Sequence, residues 1–380
     1  MPRNIVICCD GTGNEVSDTN SNVVKLYSTL EINAQQLGYY HPGVGTMGSP
    51  NALTWVSKQW TRLKGLAFGY GLMANVGDAY RFLMDNYQEG DQVFLFGFSR
   101  GAYTARALAS MIHMYGLLCP GNQGLIPYVT RMFAQRTRNA AGKAHTLQVA
   151  EIFKSDFSRD CDLHFVGVWD TVSSVGWVWD PVVLPFLGQN PIIRTGRHAV
   201  SIDERRCYYR DNLWGSPLSD QDLKQVWFAG VHSDVGGSYA ESESGLSKLT
   251  LEWMLTEASA CGLKVDLQRA SMVLGRTPKT ASFMPDYVRP DPTAMLHKSL
   301  HGFWWVVEFL PHTHYDKQQK QVRWRIPVGV RRYIPEGSVL HESVEQRINA
   351  NSGYKPPNLP AKYSVERRRD FPAAQVAQAS

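Results

Sequence analysis

Four short, almost wholly apolar runs each stop at a polar or glycine-bearing turn. Residues 4–9 run into Asp10-Gly11-Thr12-Gly13-Asn14, and residues 92–96 into Gly97-Phe98-Ser99-Arg100-Gly101. Residues 163–169 end at Asp170-Thr171, and residues 225–231 at His232-Ser233-Asp234-Val235-Gly236-Gly237. A run that is apolar at every position suits a strand buried on both faces, as in parallel sheets covered by helices. Helical spacing fills the intervals. Asn20-Ser21-Asn22 offers a cap for a helix carrying Val24, Leu26, Tyr27 and Leu30. Further helices are predicted over 75–87, 102–118 and 246–260, with Gly262 as the C-terminal stop of the last. Strands alternating with helices predict an α/β fold built on a doubly wound, mostly parallel sheet. In such a sheet, sites form beyond the carboxyl ends of the strands. Asp10, Ser99, Asp170 and His232 would therefore share one edge.

The chain of 380 residues is long enough for one decorated core. We expect that core over 1–290, with insertions near 119–160 and 177–222, a C-terminal extension over 291–366, and a frayed tail over 367–380. The net charge of +5 is modest and does not call for nucleic acid as a partner. The basic runs at 204–206 and 366–369 each contain a glutamate and read as solvated faces. No stretch of 18 apolar residues marks a membrane span, and no signal-peptide pattern precedes the first strand. The expected location is therefore cytoplasmic as synthesised, with export lacking a signal peptide left open. Six cysteines without a CxxC pair argue against a zinc cluster and suit reduced thiols.

The segment at 97–101 fits a nucleophile elbow, G-x-S-x-G between a strand and a helix. The motif alone is weak; the strand before it and the helix after it give it weight. A serine nucleophile needs a base, and the base needs an orienting acid. The chain order of this arrangement is Ser, then Asp or Glu, then His. Ser99, Asp170 and His232 satisfy it. Asp234 is a rival acid, two residues from His232, and His341 a rival base late in the chain. An oxyanion would need two backbone donors. The N–H of Arg100 is one candidate, and the loop at Gly11 and Thr12 supplies the other, with Asp10 bracing that loop.

These segments, with Gly43-Val44-Gly45-Thr46 and residues 198–206 and 341–347, appear together in order. As a set, Cys9-Asp10-Gly11-Thr12-Gly13-Asn14, Gly97-Phe98-Ser99-Arg100-Gly101-Ala102-Tyr103, Trp169-Asp170-Thr171-Val172 and His232-Ser233-Asp234-Val235-Gly236-Gly237 resemble one known group. It is the uncharacterised α/β-hydrolase family that includes the phospholipase effectors of bacterial type VI secretion. The resemblance implies an α/β-hydrolase-like sheet with helical insertions forming a lid or pocket wall. It also implies the triad Ser99, Asp170 and His232. The function expected is hydrolysis of carboxylic esters, lipid or phospholipid acyl esters above all, through an acyl-enzyme on Ser99. The partners expected are a small-molecule or lipid ester substrate, with a peripheral membrane contact left open, and no cofactor is expected. The alternative is a non-catalytic module of the same fold that binds an acyl ligand or a protein. A metal site built from Asp10, Asp170 and Asp234 is a further, less favoured reading. The aromatic segments 177–186 and 303–310 suit an acyl pocket or lid, or simply core.

Overall fold

The computed structural model describes residues 2–11, 19–43, 65–135, 140–172, 176–177, 180–181, 184–282, 284–316, 321–350, 353–369 and 371. Eight strands form one sheet: β1 (Asn4–Cys9), β2 (Gln36–His41), β3 (Gln92–Phe98), β4 (Leu163–Trp169), β5 (Ile193–Ser201), β6 (Asp222–Phe228), β7 (Val339–His341) and β8 (Ser364–Glu366). Their spatial order is β8-β7-β6-β5-β4-β3-β1-β2, and every neighbouring pair is parallel. The chain builds outward from β1 to β2, then returns to lay β3 on the other flank of β1. The crevice at the carboxyl ends of β1 and β3 is therefore a topological switch point, the usual ligand position in such sheets.

The apolar runs do what their composition dictates. Along β1, Ile5, Ile7 and Cys9 join the core on one face while Val6 and Cys8 join the core on the other. Along β3, Val93 and Leu95 go to the first face, and Phe94, Phe96 and Phe98 to the second. Alternating side chains thus feed two layers, and each large buried apolar side chain contributes about 1.5–3 kcal/mol. The first layer is α2 (Gly65–Asn86), α3 (Arg100–Tyr115), α4 (Ile126–Ala134) and α5 (Ala140–Phe157). The second is α1 (Asn22–Ser28), α7 (Gly245–Ala260) and α8 (Leu267–Val273), the short helix α6 (His232–Gly236) lying before α7.

Several boundaries move. α3 starts at Arg100 and stops at Tyr115, not over 102–118, because Gly116 takes φ 69°. The strand expected over 225–231 is β6 at Asp222–Phe228, since Gly230 at φ 117° ends extended backbone before His232. The glycine loop expected at 232–237 is the one-turn helix α6, stopped by Gly237. Segment 291–366 supplies β7 and β8 to the sheet edge, together with α9 (Phe303–Glu308), a hairpin (His312–Asp316 with Gln321–Arg325) and α10 (Glu342–Asn349). The tail is packed where it is described: Arg368 pairs with Glu252 at 2.6 Å, and Phe371 is fully buried.

All six cysteines are free thiols. No described helix is long and apolar enough to cross a membrane.

Candidate active site

β3 delivers the chain to Ser99, whose backbone sits at φ 59°, ψ −120°. A non-glycine residue in that region holds about 1–3 kcal/mol of strain. The neighbourhood leaves it no alternative. A Cβ at Gly97 would stand 2.4 Å from the Gly101 carbonyl oxygen, and one at Gly101 would stand 2.1 Å from that of Cys9. Ser99 N donates to the Trp169 carbonyl at 3.1 Å, tying the elbow to the end of β4. Although Ser99 stands at the N-cap of α3, its hydroxyl makes no capping bond.

That hydroxyl faces His232 instead. Ser99 Oγ lies 2.8 Å from His232 Nε2, and His232 Nδ1 lies 2.5 Å from Asp170 Oδ2. The three come from the carboxyl ends of β3, β6 and β4, and all are buried. With Nδ1–H donating to the carboxylate, Nε2 is the nitrogen free to accept from Ser99. Two rings hold the imidazole: Phe98 at 4.7 Å and Tyr209, edge-on, at 4.7 Å. Gly236 makes room for Phe98, since a Cβ there would fall 1.9 Å from its ring.

Asp170 has three further donors, none of them expected from sequence. Ser201 N donates to Oδ1 at 2.9 Å, and Arg332 grips both oxygens, at 2.5 and 3.0 Å. Burial pushes the Asp170 carboxyl up, but the Arg332 guanidinium and then His232 outweigh it and hold it well below the usual carboxylate range. Burial pushes His232 down; Asp170 pulls it up, Arg206 down and Glu204 up, and the net direction is below its ordinary value.

The rival residues are engaged elsewhere. Asp234 Oδ1 lies 2.6 Å from His297 Nδ1, and its Oδ2 accepts from Val231 N at 3.0 Å. It shapes the start of α6 instead of facing the His232 ring. His341 caps α10: its Nδ1 accepts from Ser343 N at 3.3 Å and meets Ser343 Oγ at 2.8 Å, and its ring stacks on Phe228 at 4.6 Å. Burial pushes it down to about 3, so it stays neutral, but it sits at the end of β7 and not against Ser99. Asp10 braces its loop, accepting from Gly11 N at 2.6 Å, Ser21 Oγ at 2.6 Å and Tyr40 Oη at 2.9 Å. That loop reaches the elbow, since Asp10 backbone atoms come within 2.6 Å of a Cβ built on Gly101. Arg100 is the first residue of α3. Thr12 lies outside the described residues, as do residues 178–179 and 182–183 of segment 177–186. With Asp10, Asp170 and Asp234 each bound to separate partners, the metal reading has no cluster: among the described residues none of three or more ligating side chains is present.

The run at 204–206, expected on a solvated face, is a correction. Glu204 is only 1% exposed. It accepts from Arg206 Nε and Nη2, both at 2.9 Å, and from His232 N at 3.2 Å. Arg206 in turn lies 3.7 Å over the Tyr209 ring. A charged triplet paired with itself and with backbone can be buried, and sequence alone does not reveal that pairing.

The family model described as T6SS, phospholipase effector Tle1-like, catalytic domain matches residues 3–257. The chain belongs to this family. An uncharacterized protein of Saccharomyces cerevisiae, YEL023C, is 26% identical over 552 aligned positions, covering 94% of this chain and 80% of the yeast protein. A crystal structure of an uncharacterized protein from Pseudomonas aeruginosa matches 70% of this chain at 19% identity and a TM-score of 0.39. The chain spans 47% of that protein.

Proposed function

We propose that this Tle1-like chain is a serine hydrolase of the α/β-hydrolase type that cleaves carboxylic esters of lipids, phospholipids above all. The observation that carries the reading is the unbroken line Ser99 Oγ, His232 Nε2, His232 Nδ1, Asp170 Oδ2, at 2.8 and 2.5 Å. Ser99 attacks the acyl carbonyl as His232 Nε2 takes its proton. Asp170 fixes the tautomer and stabilises the imidazolium. The tetrahedral oxyanion is held by the Arg100 N–H at the start of α3, while the Gly11 N–H, the other donor expected, is taken up by Asp10 Oδ1 at 2.6 Å. His232 returns the proton to the departing alcohol, and water then releases the acid from Ser99.

The lipid assignment draws on the family name and on the surface beside the site. Trp304 packs on Tyr209 at 5.5 Å, and Tyr209 packs on His232. Trp304 belongs to α9, where Val306 is exposed, and Phe309 and Leu310, directly after the helix, are exposed too. A cluster of exposed apolar side chains linked through two rings to His232 suits contact with an aggregated lipid surface. Phospholipid vesicles and p-nitrophenyl esters of rising chain length test this. Turnover should rise with chain length and be highest on vesicles; preference for short soluble esters contradicts the lipid assignment. A folded protein that binds these compounds without turning them over would instead fit the binding-module alternative.

A pH profile follows from the environment of His232. Only the neutral imidazole accepts the Ser99 proton. Because burial holds His232 below its ordinary value, the acid limb of kcat/KM should fall below about pH 6.5. A limb centred clearly above that value contradicts the environment described.

A further inference from the structure

The structure assigns Arg332, from the segment beyond the family-matched residues, as the positioning residue that holds Asp170 in register with His232. The inference rests on the triad reading above. Arg332 approaches from a stretch whose neighbours point outward: Val328, Val330 and Tyr333 are 47%, 46% and 54% exposed, while Arg332 is 7% exposed. Its Nη1 reaches Asp170 Oδ1 at 2.5 Å and Ser201 Oγ at 2.8 Å. Its Nη2 reaches Asp170 Oδ2 at 3.0 Å and the Tyr209 carbonyl at 2.5 Å. One guanidinium therefore sets the plane of the Asp170 carboxylate and also anchors Tyr209, whose ring abuts His232. The planar fork makes this a task for arginine.

The stretch that carries Arg332 is pinned at several points. Gly329 N donates to Glu308 Oε2 at 2.9 Å, the Gly329 carbonyl accepts from Arg205 Nε at 2.9 Å, and the Arg332 carbonyl accepts from Asn358 Nδ2 at 3.1 Å. Packing alone does not select an arginine here. Arg332 Nε is buried with no acceptor among the described residues, and a buried ion pair is weak evidence for stability. What the pair supplies is electrostatic. Asp170 is fully buried and faces His232, Arg332 and, at longer range, the neutral His198. With Arg332 present, the carboxylate stays ionised but only part of its field reaches the imidazole. The other charges about His232 are Glu204 and Arg206, which pair with each other.

Arg332→Met removes both grip and charge, and Arg332→Lys keeps a charge without the fork. The Asp170–His232 pair would then take its proton at higher pH in the methionine variant, because the full carboxylate field favours the imidazolium. We read the rate at which a fluorophosphonate probe modifies Ser99, from pH 5 to 9, with thermal melting to verify folding. Wild type should label; if it does not, the triad reading fails. Given labelling, Arg332→Met should move the acid limb up by about one pH unit and lower the plateau rate about 10- to 100-fold. Arg332→Lys should return the limb toward that of wild type while recovering the plateau only in part. A folded Arg332→Met with an unmoved limb overturns the inference and leaves the triad standing. Where the methionine variant does not fold, Arg332→Lys decides: a plateau equal to wild type overturns it, and a loss of tenfold or more supports it.

Discussion

Replacing Ser99 by alanine is expected to lower ester hydrolysis by about 10⁴- to 10⁶-fold with little change in melting temperature. The hydroxyl forms no capping bond with α3, so the helix loses nothing with it. Its recorded partner is His232 Nε2. Alanine can occupy the same backbone at similar strain, because serine already carries a Cβ at φ 59°. A loss of about 10⁴ corresponds to about 5.5 kcal/mol of transition-state stabilisation, more than any single hydrogen bond at the site supplies. Residual activity should be the same in Ser99→Ala and in Ser99→Ala combined with His232→Ala, since the two groups act as a unit. Steady-state kinetics on a long-chain ester provide the check, and comparable turnover in Ser99→Ala would contradict the assignment.

The second large effect separates the two aspartates near His232. Asp170→Asn should lower kcat by about 10³- to 10⁴-fold, because the amide presents the wrong partner to Nδ1 and favours the wrong imidazole tautomer. It should also lower stability. Arg332 would lose its carboxylate inside the protein, and breaking one side of a buried ion pair typically costs about 3–5 kcal/mol. Asp234→Asn should leave kcat within about tenfold of wild type. An asparagine there still accepts from Val231 N, and the main loss falls on His297. The lost pairing matters most where His297 is charged: Asp234 and Glu243 raise its affinity for a proton, so that contribution fades as pH rises. Melting and kcat measured side by side on the two variants test this. The opposite ranking in kcat would reassign the acid to Asp234.

The candidate site was legible where the chain announces a strand on both faces. The apolar runs of β1, β3 and β4 mark their own carboxyl ends by stopping at Asp10, Gly97 and Asp170. The sheet edge, and so the neighbourhood of Ser99, Asp170 and His232, follows from that pattern. β5 was hidden because its sequence includes Arg197 and His198. In the fold these are buried in a central strand, Arg197 pairing with Glu257 and Asp222, both at 2.5 Å, and His198 accepting from Thr171 N at 3.1 Å. β2 lies at the sheet edge and is mostly half-buried, so it lacks a continuous apolar run. β7 and β8 are three residues each, too short to show any period. Arg332 stands 162 residues from Asp170 in irregular chain, and nothing local distinguishes it from the adjacent Arg331. The role of Glu204 was inverted for a related reason: a charged triplet looks solvated until its partners are known.

The account stands or falls on the reactivity of one hydroxyl. Incubating the folded protein with a fluorophosphonate probe, then mapping the modified peptide by mass spectrometry, measures it without assuming a substrate. The predicted result is a single adduct on Ser99, absent in Ser99→Ala and strongly slowed in His232→Ala. A folded protein left unmodified, or modified at another serine with equal speed in Ser99→Ala, would contradict the claim that Ser99 is a nucleophile activated by His232.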